Sequence, residues 1–262
     1  MGLVIYADFT SPGCYLAGRR ADTLAAAGTD VDWRAVEGHP ELPVNGRPLG
    51  PRDRAAVEER MAKVRALLLP GEPLPWASPG VMSNTMAAVS AFAEAYGAGV
   101  AAEVRRLLFT AYWVDGTDLS DPRTLWPRLA GAFLGRRAAA DPLRESGFAV
   151  SVSRGPITDG AWRRIRAGRE EWARLGAGGL PVLVADGGGP VEGENALRRL
   201  EREIVRVGAA PGPAPRDPAA YPVMAVRPSQ GWVSEVGGPW AYSWRTGSPH
   251  PASAGQGRRA TS

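Results

Sequence analysis

The chain has 262 residues, 44% of them hydrophobic and 22% charged, which is enough to bury a sizeable core in one elaborated domain or two small ones and excludes disorder throughout. No run approaches the roughly 18 consecutive apolar residues of a membrane span, and Met1 leads into Gly2-Leu3-Val4-Ile5-Tyr6 with Asp8 close behind, unlike a charged leader followed by a long apolar stretch. A cytoplasmic location is expected. The single cysteine, Cys14, excludes an intramolecular disulfide and a cysteine-rich zinc site, and His39 and His250 are too few to build a metal cluster, so no metal is expected.

The formal net charge of +4 is unevenly placed: residues 208–262 hold five Arg against one Asp and one Glu, leaving 26 basic and 25 acidic residues before them. A polyanion is attracted by local separation of charge, which the preceding chain lacks, so no nucleic-acid partner is expected.

Taken in order, Leu3 to Phe9 is a short apolar run closed by Thr10-Ser11-Pro12-Gly13 and reads as a buried strand. Ser11 followed by Pro12 starts a helix, because the hydroxyl can accept from an orphan N–H and proline at the first helical position gives up no bond. That helix is expected to run to about Ala27 and to end at Gly28, before a second strand over Asp30 to Val36. Helical periodicity follows in Arg52 to Leu69, Ser83 to Tyr96 and Val100 to Tyr112. Asp121-Pro122 and Asp141-Pro142 start two further helices, and Thr158 to Leu175 supplies another. Strands return at Leu180 to Val184 and Pro190-Val191 around Asp186-Gly187, a hairpin signal, and Gly193 to Val207 closes the pattern as a helix.

The expected fold class is α/β: a βαβ half, an all-helical insertion over about 50–176, and a ββα half, together spanning 1–207. Residues 208–262 contain 17 Gly plus Pro and read as a mostly irregular tail, although Tyr221, Trp232, Trp240, Tyr242 and Trp244 give it aromatic content that favours docking.

This order is that of a thioredoxin fold carrying a helical insert, and four segments resemble the DsbA-like family. Asp8-Phe9-Thr10-Ser11-Pro12-Gly13-Cys14 is similar to the CPxC segment at the start of that family's first helix, with Ser11 in place of the first cysteine. Asn84-Thr85 and Leu107-Leu108-Phe109 to Asp118-Leu119 resemble the helical insert of its cytoplasmic branch. Gly179-Leu180-Pro181-Val182 is similar to its cis-proline loop, and Gly193-Glu194-Asn195 falls where its last helix begins. The resemblance implies an oxidoreductase lineage with Ser11, Cys14 and Pro181 at the active position.

Disulfide exchange requires an attacking thiolate and usually a second thiol to resolve the mixed disulfide. Ser11 cannot supply the first, and Cys14, one turn inside the helix, is expected to be the less reactive position. A serine at position 11 instead resembles the kappa-class glutathione transferases and 2-hydroxychromene-2-carboxylate isomerases. That resemblance implies no tightly bound cofactor but a low-molecular-weight thiol such as glutathione, its sulfur at Ser11 and Pro12. The backbone of Leu180 and Pro181 would pair with the peptide, and Glu194 and Asn195 would lie by its γ-glutamyl carboxylate. The expected partners are that thiol and a small hydrophobic electrophile, and a homodimer is allowed. A non-catalytic binding module using the same cleft is the alternative.

Individual residues also have simpler readings. Ser11 is a good N-cap whatever the function, and Cys14 can be a small buried hydrophobe. Asn84 either caps a helix or touches ligand. Tyr15 and Trp113 either belong to the core or line a substrate cleft between sheet and insert. His39, in Gly38-His39-Pro40, reads as a loop residue.

Overall fold

The computed structural model describes residues 2–72, 79–133 and 157–210, all within a compact unit that spans Met1–Ala225. The expected helix at Asp141-Pro142 and almost all of the tail lie outside the described residues. Two sheets and seven helices make up the described elements: β1 (Gly2–Ala7), α1 (Pro12–Ala26), β2 (Asp30–Ala35), β3 (Arg47–Pro48), α2 (Pro51–Arg65), β4 (Val81–Met82), α3 (Met86–Gly97), α4 (Ala101–Trp113), α5 (Pro122–Phe133), α6 (Asp159–Leu175), β5 (Val182–Ala185), β6 (Val191–Glu192) and α7 (Gly193–Val207).

The main sheet has the order β2-β1-β5-β6. β1 pairs in parallel with β2, Ile5 opposite Trp33, as a strand-helix-strand crossover requires. It pairs antiparallel with β5, Ile5 opposite Leu183, and β5 turns back into β6. β1 therefore lies inside the sheet with both edges paired, and its alternation divides the core. Leu3, Ile5 and Ala7 join Leu16, Leu24, Leu108 and Leu197 in the large cluster on one face. Tyr6 joins Val36 and Val182 on the other face, where Trp172 and Leu175 of α6 pack. This is the α/β thioredoxin-like arrangement expected, with the helices of the insert between its halves.

Three local differences have visible causes. α2 stops at Arg65 rather than running to Leu69 because the next turn is drawn into a buried ion pair. The Leu67 carbonyl accepts from Arg20 Nη2 at 2.6 Å, and Leu69 N donates to Glu72 Oε2 at 2.7 Å. Arg20 and Glu72 face each other through two bonds of 2.9 Å with almost no solvent access, and Arg20 Nη1 also donates to the Leu197 carbonyl. α1, the chain after α2 and α7 are thus joined at one buried guanidinium. α3 begins at Met86, later than the periodicity suggests, because Ser83, Asn84 and Thr85 use their side chains on other segments. The third difference is an addition: β3 and β4 form a small antiparallel pair that the periodicity of the insert did not indicate.

Candidate functional site

β1 ends at Ala7, and the next four residues turn the chain into α1 around a buried carboxylate. Asp8 is 2% exposed. It accepts from Thr10 N at 2.6 Å and from the Thr10 hydroxyl through one oxygen, and from Gly38 N at 2.8 Å and the Thr85 hydroxyl at 2.7 Å through the other. Four donors on one carboxylate satisfy a group that would otherwise be costly to bury. They also tie the loop to the end of β2 and to the start of α3. Trp113 Nε1 donates to the Phe9 carbonyl at 3.1 Å, adding a bond from α4.

The loop delivers Ser11 to the N-cap of α1. Its backbone is extended, its Oγ accepts from Cys14 N at 3.4 Å, and Pro12 follows in the first turn. Ser11 is half-buried while Pro12, Gly13 and Cys14 are buried. Opposite lies the Leu180–Pro181 peptide, which is cis. A Cβ placed on Gly13 would lie 3.2 Å from Pro181 Cδ and 3.7 Å from the Leu180 carbonyl oxygen, and one on Gly38 would lie 3.2 Å from Leu180 Cδ1. A side chain at Gly13 would press on the Pro181 ring, and one at Gly38 on the Leu180 and Asp8 side chains, so both positions pack closely against the Leu180-Pro181 turn. The turn is itself held from α7: Gly193 N donates to the Pro181 carbonyl at 2.8 Å, and Glu192 Oε2 accepts from Gly178 N and Gly179 N at 3.0 and 2.8 Å. Ser11, Pro12, Leu180, Pro181 and the start of α7 are therefore one assembly, with Glu194 and Asn195 exposed on the first turn of α7.

Cys14 lies behind this surface. It is fully buried, and burial pushes its thiol up to about 12, although bonds from the Ser11 hydroxyl and the Asp8 backbone oppose the shift. At neutral pH it remains a protonated thiol without access to a macromolecular disulfide. Ser11 is the polar side chain of the SPGC segment that reaches solvent.

Tyr15, Asn84 and Trp113 do not line a cleft, and that expectation is corrected. Tyr15 and Trp113 are 2% and 0% exposed, packed edge-on against Phe109 and Tyr112, since the apolar area of a large ring is best buried. Asn84 has both ends of its amide engaged: Nδ2 donates to the Leu42 carbonyl at 2.9 Å and Oδ1 accepts from Met86 N at 3.0 Å. It fixes the entry to α3. His39 bonds Glu41 through Nδ1 at 3.1 Å on the loop beside Gly38. Residue-by-residue reading missed Asp8, Gly38, Thr85 and Glu192. Asp8 and Thr85 stood inside the quoted motifs, but their 77-residue separation hid the bond between them.

Among the described residues there is no group of acids, histidines and cysteine able to hold a metal ion, and no helix is long and apolar enough to cross a membrane.

A family model described as a DSBA-like thioredoxin domain matches residues 2–205. No curated protein matches the chain. The fold is similar to a probable DsbA oxidoreductase from Streptomyces coelicolor, with a TM-score of 0.59, 21% identity, and coverage of 79% of this chain and 90% of that one. It is also similar to the cytosolic disulfide reductase DsbM from Pseudomonas aeruginosa solved with GSH, with a TM-score of 0.54, 16% identity, and coverage of 79% and 98%. A 2-hydroxychromene-2-carboxylate isomerase matches at a TM-score of 0.49 and 20% identity, covering 79% and 96%. At these identities the first two likenesses speak for the fold alone.

Proposed function

From the premise that the chain belongs to the DSBA-like thioredoxin domain family, we propose that it binds a low-molecular-weight thiol of the glutathione kind at Ser11 and uses it on a small hydrophobic electrophile. The observation that carries this reading is the separation of the two polar groups of the SPGC segment. Ser11 meets solvent across from Leu180-Pro181, while Cys14 is buried with its thiol held protonated. An enzyme working through its own thiolate needs the opposite arrangement.

In this reading the Ser11 hydroxyl turns from Cys14 to donate to the sulfur of the bound thiol, and the positive end of α1 favours thiolate over thiol, releasing the proton to solvent. The backbone of Leu180 pairs with the ligand peptide as an added strand. The N-terminus of α7, at Gly193 to Asn195, holds the γ-glutamyl carboxylate through the N–H groups of its first turn, with the Glu194 and Asn195 side chains beside it. The thiolate then adds its electron pair to an electrophilic alkene carbon, forming a C–S bond as the carbon–carbon π bond breaks and its electrons take up a proton from solvent; the adduct persists in a transfer reaction, and in an isomerisation it gives up that proton and expels the thiolate to restore the double bond. The GSH in the solved DsbM structure supports this class of ligand for the fold. A cytoplasmic setting, where such thiols are abundant, agrees with the reading.

Calorimetric titration with glutathione, with the bound thiol titrated by its ultraviolet thiolate absorbance, tests it. Binding is expected to bring the sulfur below its free pKa of about 8.5, and Ser11→Ala should return it toward that value. No binding at millimolar glutathione, or an unchanged sulfur pKa in Ser11→Ala, overturns it. Saturable binding without turnover of any electrophile assigns the chain to a binding module.

A further inference from the structure

The loop that follows β2 packs between the two walls of the Ser11 assembly. Gly38 N donates to Asp8 Oδ2 at 2.8 Å, and a Cβ built on Gly38 would lie 3.2 Å from both Asp8 Cβ and Leu180 Cδ1. Gly38 therefore sits between the loop that delivers Ser11 and the residue before the cis proline. His39 follows it, about 3.8 Å further along the chain. A turn fixes this position: Leu42 N donates to the His39 carbonyl at 3.2 Å, and the Leu42 carbonyl accepts from Asn84 Nδ2 at 2.9 Å.

His39 is the one histidine among the described residues. Its side chain is 43% exposed, and Nδ1 lies 3.1 Å from Glu41 Oε1. The Glu41 carboxyl is held below its ordinary range by its own backbone N–H and by the His39 ring. A carboxylate can only accept, so Nδ1 carries the hydrogen and Nε2 keeps its lone pair. The other acids around the loop are engaged elsewhere. Asp8 is buried under four donors, Glu37 pairs with Arg169 of α6, and Glu192 accepts from Gly178 N and Gly179 N.

Addition of a bound thiol to an alkene takes one proton from sulfur and gives one to carbon, and a serine hydroxyl is too weak a base to handle either. We infer that His39 carries this proton between the Ser11-bound thiol, the substrate carbon and solvent, with Glu41 as its positioning residue. Nε2 takes the proton from sulfur as the thiolate forms. Once the C–S bond has formed and the π electrons have moved to the adjacent carbon, the imidazolium returns a proton there. One proton leaves sulfur and one reaches carbon, so no oxidant, reductant or further reactant is needed. This role rests on the reading of Ser11 as a thiol site.

The test uses the full chain with glutathione and benzylideneacetone, whose conjugated absorbance is lost on addition. His39→Gln should bind glutathione as wild type does, which also reports that it folds, and should lower kcat by about a hundredfold. Added imidazole should restore much of the rate to His39→Ala. Glu41→Gln should lower kcat by about tenfold with KM for glutathione unchanged. With the thiol alone the rate only rises with pH, whereas a proton donor adds a fall on the alkaline side, so the bell of the wild type should lose that fall in His39→Gln. Failure of the wild type to bind glutathione overturns the reading of Ser11 and this role with it. Binding without turnover in the wild type leaves His39 no proton to carry and overturns this role. So does an unchanged rate and pH profile in His39→Gln, or the absence of rescue by imidazole, while glutathione binding stands.

Discussion

The hydroxyl of Thr85 donates to the carboxylate of Asp8 at 2.7 Å, joining the entry to α3 to the loop that places Ser11. Thr85→Val removes one donor from a carboxylate that keeps three and should cost about 1–2 kcal/mol, whereas Asp8→Ala removes the acceptor of four donors at once, the part-buried N–H groups of Thr10 and Gly38 among them, and should cost about 2–4 kcal/mol. Urea unfolding of both variants checks the order. Equal losses would mean that the loop is held by something other than this carboxylate.

Cys14 should make the protein sensitive to alkali. Its native thiol stays protonated to about pH 12, while in the unfolded chain it ionises near its ordinary value of 9.0. Above that value the unfolded state gives up a proton that the native state keeps. The thiol's contribution to stability is therefore complete below about pH 9 and falls as pH rises toward 12, by up to ~1.4 kcal/mol per pH unit. Cys14→Ala should lose on the order of 1 kcal/mol at neutral pH and show a shallower decline in alkali. Denaturant midpoints from about pH 8 to pH 10.5 measure the difference in slope, and parallel curves would place Cys14 in contact with water.

Arg20 should tolerate replacement only together with its partner. Arg20→Met leaves the Glu72 carboxylate buried beside Leu69 N with its cation gone, a loss of about 3–5 kcal/mol, and adding Glu72→Gln should recover much of it. Thermal unfolding of the single and double variants decides this, and a single variant within about 1 kcal/mol of wild type would show that the pair is solvated.

Ser11→Cys should generate a reactive thiolate. The new sulfur would sit at the N-cap with Cys14 N close to its position, and the helix terminus should lower its pKa from about 8.5 toward roughly 3.5–7.5. The alkylation rate against pH reports the thiolate, and the mass of the oxidised protein reports any disulfide between the new sulfur and Cys14. An introduced thiol that titrates unshifted would remove Ser11 from an exposed helix end.

The sequence by itself determined the elements near the chain's own punctuation. Ser11-Pro12 set the start of α1, Gly28 and Gly208 set helix ends, and Asp186-Gly187 set the β5–β6 turn, because caps and turns are decided by residues a few positions apart. The SPGC segment and Leu180-Pro181 were legible for the same reason, and so was the loss of dithiol chemistry, which follows from a single cysteine. Tertiary structure alone decided which polar residues were spent on the fold. Asn84 offered an amide suited to ligand contact until Leu42 and Met86 engaged both of its ends, and Tyr15 and Trp113 offered rings for a cleft until Phe109 and Tyr112 covered them. Asp8 and Thr85, and Arg20 and Glu72, acquired their roles from segments up to 177 residues away. Burial and bond partners are properties of the packed chain, and local sequence pattern carries no record of which distant group arrives to satisfy a given one.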